Sequence, residues 1–361
     1  MDEGLKADKK SQHNAMMDII YAADHAGHDP EHFLVHGRIR PNPEVPARAE
    51  RIIEAVTAAG RTVMAPPAYG TAPAAAVHTP EYLQFLATIH ARWQTLEGAA
   101  AEVIPHIHPS RHGDARPASA AGLAGYHMGD TSCPIGAGTW HAARRSADSA
   151  VCAADRVADG TQAIYALCRP PGHHAYADLA GGFCFLNNSA IAAQRLRRRM
   201  DRVTILDVDV HHGNGTQAIF WRRRDVLTLS VHADPAHFYP FFWGHAHEQG
   251  EGEGKGYNLN FPLAIGSSDD ALLQQVEAAL TVLRSYAPGA LVVALGLDAF
   301  EGDPLSGLKI TTSGFRRIGA AIAAAGYPTL LVQEGGYLTP ELGANLLSFL
   351  SGFEKSEQHR S

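Results

Sequence analysis

A chain of 361 residues, 45% hydrophobic and 19% charged, carries enough apolar material for a sizeable core and has the composition of an ordinary globular protein. Its 37 acidic and 30 basic residues leave a formal charge of -7, which argues against nucleic acid as the main partner and suits cationic ligands better. The longest apolar run, Ala290 to Leu297, is far short of the ~18 residues that span a bilayer, and nothing resembles a cleavable signal. Cys133, Cys152, Cys168 and Cys184 form no Cys-x-x-Cys pair and read as small buried hydrophobes in a reducing cytoplasm.

In chain order, the polar residues 1–15 read as a frayed leader without a core role. Met17 to Ala22 predicts a first strand, and Val45 to Ala59 and Pro80 to Leu96 predict helices. Residues 97–138, dense in Pro, Gly, His and Ser, are too long for a plain connection; they are either a functional or interface loop or a flexible excursion. A helix is expected over Trp140 to Ala158. From there short apolar runs alternate with amphipathic stretches: strands at Ala163 to Cys168, Val203 to Val210, Val226 to Val231, Leu291 to Leu297 and Thr329 to Val332, with helices at Ser189 to Met200, Asp270 to Tyr286, Thr312 to Ala325 and Pro340 to Leu350. The Gly-rich stretch Glu248 to Tyr257 is a loop whose three glutamates would repel a phosphate. This order predicts one α/β domain over 16–355, an open, mostly parallel sheet with helices on both faces.

Open α/β sheets bind ligands beyond the carboxyl ends of their strands, and here those ends are rich in polar residues. The tips are Arg169 to His174, Asp207 to Gly215, Gly296 to Asp298 and Gln333 to Tyr337. In an extended strand, side chains two apart share a face, so Asp209 and His211 are placed to grip one ion while Val208 and Val210 face the packing side. Asp298, directly after an apolar run, is the natural third ligand. Two carboxylates and one imidazole leave a coordination position open, the pattern of a catalytic zinc site, whereas calcium would want a loop of spaced oxygen donors. Blander readings stand beside this one. Asp207 and Asp209 would cap a helix starting near Gly213, Gly335-Gly336 would be a tight turn, and His173-His174 would bond loop carbonyls.

These motifs, Arg169 to Ala175, Gly181 to Asn188, Asp207 to Gln217, Gly296 to Pro304 and Glu334 to Tyr337, resemble in content and order the histone deacetylase and acetylpolyamine amidohydrolase family, with its arginase-like open α/β fold. The resemblance spans roughly Asp29 to Ser351. It implies zinc on Asp209, His211 and Asp298, tandem catalytic histidines His173 and His174, and Tyr337 on the substrate carbonyl. His174 would serve as base and then as acid, oriented by Asn214, with the His173 tautomer set by Asp207. It further implies potassium beneath the zinc, held by oxygens of Asp207, Asp209, His211 and Ser230, and iron or cobalt as substitutes for zinc.

The stretch His232 to Gly244 and the run Gly296 to Pro304 look like the acetylpolyamine amidohydrolase branch. In that branch Phe183 and Tyr239 would wall a narrow tunnel, and Gly182 would accept a hydrogen bond from the amide. Residues 97–128 would support a homodimer and narrow the entrance, and Glu97, Glu102, Asp114 and Glu301 are acids available to meet ammonium groups. The expected activity is metal-dependent hydrolysis of linear amide C–N bonds in acetylated polyamines or similar small amines, in the cytoplasm. The rivals are a protein lysine deacetylase, an arginase-like ureohydrolase with two manganese ions, for which Phe300 stands where a second acid is needed, and a noncatalytic protein that binds acetylated amines.

Overall fold

Runs of Val, Ile, Leu and Ala with no polar alternation need cover on both sides, and here they obtain it in a central parallel sheet. The computed structural model describes residues 16–113 and 115–358, so the expected leader 1–15 and Asp114 lie outside the described residues. The strands are β1 (Ile19–Tyr21), β2 (His32–Val35), β3 (Arg38–Pro41), β4 (Val63–Met64), β5 (Ala163–Leu167), β6 (Val203–Asp207), β7 (Val226–Ala233), β8 (Asn258–Leu263), β9 (Ala290–Leu295) and β10 (Thr329–Gln333). Eight of them form one sheet in the order β4-β1-β5-β10-β9-β6-β7-β8, every pairing parallel. β2 and β3 form a separate antiparallel hairpin.

Alternate residues of each strand feed opposite cores. Leu206, Leu229, Val293 and Leu331 enter a core closed by the helices Ala47–Ala58, Asp269–Tyr286, Thr312–Ala324 and Leu342–Gln358. Ile164, Ile205, Val292 and Leu330 enter the other, closed by the helices Thr139–Ala158 and Asn188–Leu196. A third cluster joins the helices Pro80–Trp93 and Ala120–His127 through Phe85, Leu123 and Phe185. The open parallel sheet covered on both faces is therefore the expected architecture. All four cysteines are unpaired and buried.

Several local expectations change. β6 ends at Asp207, so Asp209 and His211 lie in the turn beyond the strand rather than on one strand face. The stretch 97–138 is not a plain loop, for it holds the helix Ala120–His127 and pairs Val103 with Ile135. The last helix runs on to Gln358, well past Leu350. The short strands β2, β3, β4 and β8 lack a long apolar run and were not expected.

Sheet order decides where the chemistry collects. β5, β10, β9 and β6 are four consecutive neighbours, and their registers align the tips, with Val332 opposite Ala166, Gln333 opposite Leu295 and Asp207 opposite Ala294. The four polar segments singled out above thus leave the same edge side by side. Ile205 is fully buried beneath that edge. Ile205→Ala is expected to lower the unfolding free energy by about 2–5 kcal/mol, read as a shifted urea midpoint at unchanged slope.

Candidate active site

Beyond β6 the chain turns back on itself, and the turn is held by carboxylates. Asp207 Oδ1 accepts from the Asp209 N–H at 3.1 Å, and Asp209 Oδ1 from the His211 N–H at 2.9 Å. A helix does begin at Asn214, but neither carboxylate caps it. Asp298, just past β9, accepts from the Val210 N–H at 3.1 Å. His211 Nδ1 therefore stands 3.2 Å from Asp209 Oδ1 and 3.2 Å from Asp298 Oδ2. Donors about 2.0–2.1 Å from a tetrahedral ion are separated by about 3.3 Å, so this trio is spaced as ligands of one ion.

Electrostatics point the same way. Asp209 and Asp298 are both fully buried. Burial and the neighbouring Asp209 charge push the Asp298 carboxyl up. Burial opposes the Asp209 charge too, yet His173 and His211 hold that carboxyl far below the usual range. Burial alone would depress His211, but the two carboxylates raise it to about 9. The set calls for a positive charge, and a divalent cation would replace the proton on His211. Oxygen and imidazole donors of this kind fit zinc.

Beside this trio lie the paired histidines, their rings 4.0 Å apart. His173 Nδ1 meets Asp207 Oδ2 at 2.9 Å; burial opposes its protonation, but Asp207 and Asp209 raise it to about 10. His174 Nδ1 meets Asn214 Oδ1 at 2.6 Å, an acceptor, so Nδ1 carries the hydrogen and Nε2 is left with a lone pair. Burial and the charges of His173 and His211 hold His174 well below its ordinary value. One ring is thus cationic and the other neutral near pH 7. Tyr337, nearly buried and raised in pKa by that burial, keeps its phenol proton. Its ring packs on Phe183 at 5.7 Å, and Gly335, two residues earlier, donates its N–H to Asp209 Oδ2 at 2.8 Å.

Comparison with known proteins agrees with this geometry. Residues 42–353 match the histone deacetylase domain. The chain belongs to the histone deacetylase family. Its similarity to the acetylpolyamine amidohydrolase of Burkholderia pseudomallei is 49% identity over 331 residues, covering 91% of this chain and 96% of that one. Acetylpolyamine amidohydrolase 2 of Pseudomonas aeruginosa is 44% identical over 338 residues, covering 93% and 98%. A crystal structure of acetylpolyamine aminohydrolase from Burkholderia pseudomallei superposes with a TM-score of 0.91 at 47% identity, covering 94% of this chain and 99% of that one. As a member of this family the chain is a hydrolase of amide bonds.

Within this deacetylase fold, the structure adds residues whose part sequence reasoning missed. Glu334, fully buried, accepts from the N–H groups of Gly172 at 2.6 Å and His173 at 3.0 Å and from the Ser189 hydroxyl at 2.8 Å, tying the β10 tip to the β5 tip. Arg48 donates to the carbonyls of Gly336 at 2.6 Å and Glu334 at 2.8 Å and lies over the Tyr337 ring, 4.6 Å from its centroid. Glu44, buried, pairs with Arg48 at 2.8 Å and Arg169 at 2.9 Å. Asp303 accepts from the Tyr337 N–H at 2.8 Å. Of these, Arg169, Asp303 and Glu334 lie inside the quoted motifs, whereas Arg48 looks like any charge on an amphipathic helix.

The remaining candidates divide. Gly182 and Phe183 hold left-handed backbone, φ 52° and 68°, and Tyr239 stands edge-on to His174 at 5.0 Å and His211 at 6.0 Å. Phe183 thus packs on Tyr337, and Tyr239 on the rings of His174 and His211. The Ser230 hydroxyl bonds His232 Nδ1 at 2.8 Å. Glu97 and Glu301 are exposed. Glu102 instead accepts from the Glu31 N–H at 3.3 Å and lines a separate pocket with Asp29, Glu31 and His90.

Two outcomes follow from the packing. A Cβ on Gly335 would collide with Asp298 Oδ2 and come within 2.6 Å of Asp209 Oδ2, so Gly335→Ala is expected to abolish tight zinc binding in a titration of the folded protein. Arg48→Lys keeps the charge and loses the planar fork that fixes the Glu334 and Gly336 carbonyls just before Tyr337. Its kcat is expected to fall between about tenfold and a hundredfold with zinc content unchanged.

Proposed function

We propose that this enzyme deacetylates acetylated polyamines or similar small acetylated amines, with Asp209, His211 and Asp298 holding one zinc ion. The observation that carries this reading is the trio itself, two buried carboxylates against one imidazole, set beside the free Nε2 of His174. The named relatives at 49% and 44% identity over nearly their whole length support the substrate class.

When bound, the ion supplies Lewis-acid polarisation and lowers the pKa of water. His174 takes a proton from the attacking water at Nε2, because Nδ1 is committed to Asn214. Asn214 is itself fixed by donating to the Tyr176 hydroxyl at 3.1 Å. As the carbonyl carbon becomes tetrahedral, the Tyr337 hydroxyl donates to its oxygen, and Arg48 and Asp303 hold that tyrosine in place. His174 then passes its proton to the departing amine, which prevents its re-attack. Cationic His173, anchored on Asp207, keeps His174 neutral until it takes that proton. Phe183 and Tyr239 offer flat apolar walls to a methylene chain, and the Gly182 carbonyl accepts from the amide N–H.

The potassium reading is the one the family resemblance implies, with oxygens of Asp207, Asp209, His211 and Ser230 as donors; the pairing of Asp207 with Ser230 across β6 and β7 supports it. Iron or cobalt would serve on the same donors. A second copy of this chain is the proposed protein partner, through residues 97–128, where Ile107 is 61% exposed. Unpaired buried cysteines support a cytoplasmic setting, and no helix among the described residues is long and apolar enough to cross a membrane.

Acetate release measured across acetylated polyamines and acetyl-lysine peptides with defined metal loading tests the reading. Acetylputrescine is expected to have the higher kcat/KM; preference for the peptide would make the enzyme a protein lysine deacetylase, and no release would leave a binding protein. Chelation is expected to abolish activity and zinc to restore it. Tyr337→Phe should lower kcat by about a hundredfold to a thousandfold while substrate still binds.

A further inference from the structure

Asp130 was in none of the motifs that carry the chemistry, yet its carboxylate touches both sides of the cleft. The helix Ala120–His127 ends as Met128 turns extended, and the chain then pairs with the segment before the tunnel. The Ala180 N–H donates to His127 O at 2.8 Å and the Gly129 N–H to Ala180 O at 2.7 Å, which delivers Asp130 beside Gly182. There Asp130 Oδ2 accepts the Gly182 N–H at 3.0 Å and the Tyr239 hydroxyl at 2.6 Å. Its other oxygen accepts the Ser132 N–H at 2.8 Å, so the carboxylate cannot swing away freely.

Bonds to an ionised acceptor are stronger and more directional than neutral ones. One of these fixes the backbone before Phe183, a residue with φ 68° that persists only where its surroundings enforce it. The other fixes Tyr239, whose ring stands against His174. A phenylalanine would supply the same apolar wall. The tyrosine hydroxyl is explained by its partner, which draws that polar atom out of a passage meant for methylenes. Gly182 leaves the room, for a Cβ there would strike the His174 ring and come within 2.9 Å of the Tyr239 hydroxyl.

We propose that Asp130 is a positioning residue that sets substrate width, clamping Gly182 and Tyr239 so that the two tunnel walls keep a fixed separation. The proposal rests on the deacetylase reading above and names what selects slender amines at that site.

The test compares kcat/KM for acetylputrescine with that for an acetylated amine branched at the carbon next to nitrogen. Tyr239→Phe and Asp130→Ala are each expected to cut the preference for the linear substrate by about tenfold, the scale on which one methylene is discriminated. The double variant should lose no more than either single one, and Asp130→Asn, which keeps an oxygen acceptor, should fall between. Amide exchange at Gly182 supplies a readout that needs no turnover: it should quicken in Asp130→Ala and stay slow in Tyr239→Phe. An unaltered preference, additive losses, or Gly182 exchange indifferent to Asp130 would overturn the clamp. A parent enzyme that releases no acetate, with Gly182 exchange still governed by Asp130, would sink the deacetylase reading and leave the clamp standing. Tyr239→Phe removes one oxygen from a ring that stays in place, so the comparison survives if Asp130→Ala does not fold.

Discussion

Two carboxylates buried against a single imidazole make the dominant constraint on this molecule. Taking Asp209 and Asp298 out of water is expensive, and placing them within reach of one another adds repulsion. The surrounding backbone meets part of that cost, since the N–H groups of Val210, His211 and Gly335 all point at carboxylate oxygens. The rest calls for a cation. A cation bound to the folded form alone would add to its stability.

The strands converge on that pocket with almost no room for side chains between them. A Cβ on Gly296 would strike Asp209 Oδ2, one on Gly213 would strike Asp207 Oδ2, and one on Gly335 would strike Asp298. The close approach of backbone to carboxylate is what brings Asp209, His211 and Asp298 to the spacing of a single metal site. Around them, Glu334, Glu44, Arg48 and Arg169 form a buried set of charges that hold backbone rather than substrate. Glu334, Arg48 and Arg169 bond main-chain groups of a neighbouring tip or loop, and Glu44 pairs with both arginines, which ties together loops from distant parts of the chain.

Much of this was legible beforehand, for identifiable reasons. Apolar runs without polar alternation mark strands buried on both faces, and polar residues at their ends have no packing purpose, so β5, β6, β9 and β10 and their tips could be read directly. Asp209 and His211 come together, but not on a strand face: β6 stops at Asp207, and they meet in a turn braced by the Asp207 and Asp209 carboxylates. Short edge elements were missed. β4 has only two residues and β8 carries Asn258 and Asn260, so neither shows an apolar period. Arg48 and Asp130 escaped notice because a lone charge ordinarily signals a solvated surface, and only the fold shows which backbone or phenol it meets. Glu102, one of the acids available to meet ammonium groups, lines a pocket with Asp29, Glu31 and His90.

One feature of the sheet has a bearing on how such an enzyme diversifies. The groups proposed for hydrolysis follow four adjacent central strands, whereas Asp130 and Tyr239 arrive on segments outside that quartet, one after the helix Ala120–His127 and one beyond β7. Gly182 and Phe183 share the β5 connection with His173 and His174, but the other wall and its clamp are carried on separate stretches of polypeptide. Evolution can lengthen, shorten or recolour those separate stretches while the rest is inherited intact, so a single scaffold can serve many acylated amines without reinventing its reaction.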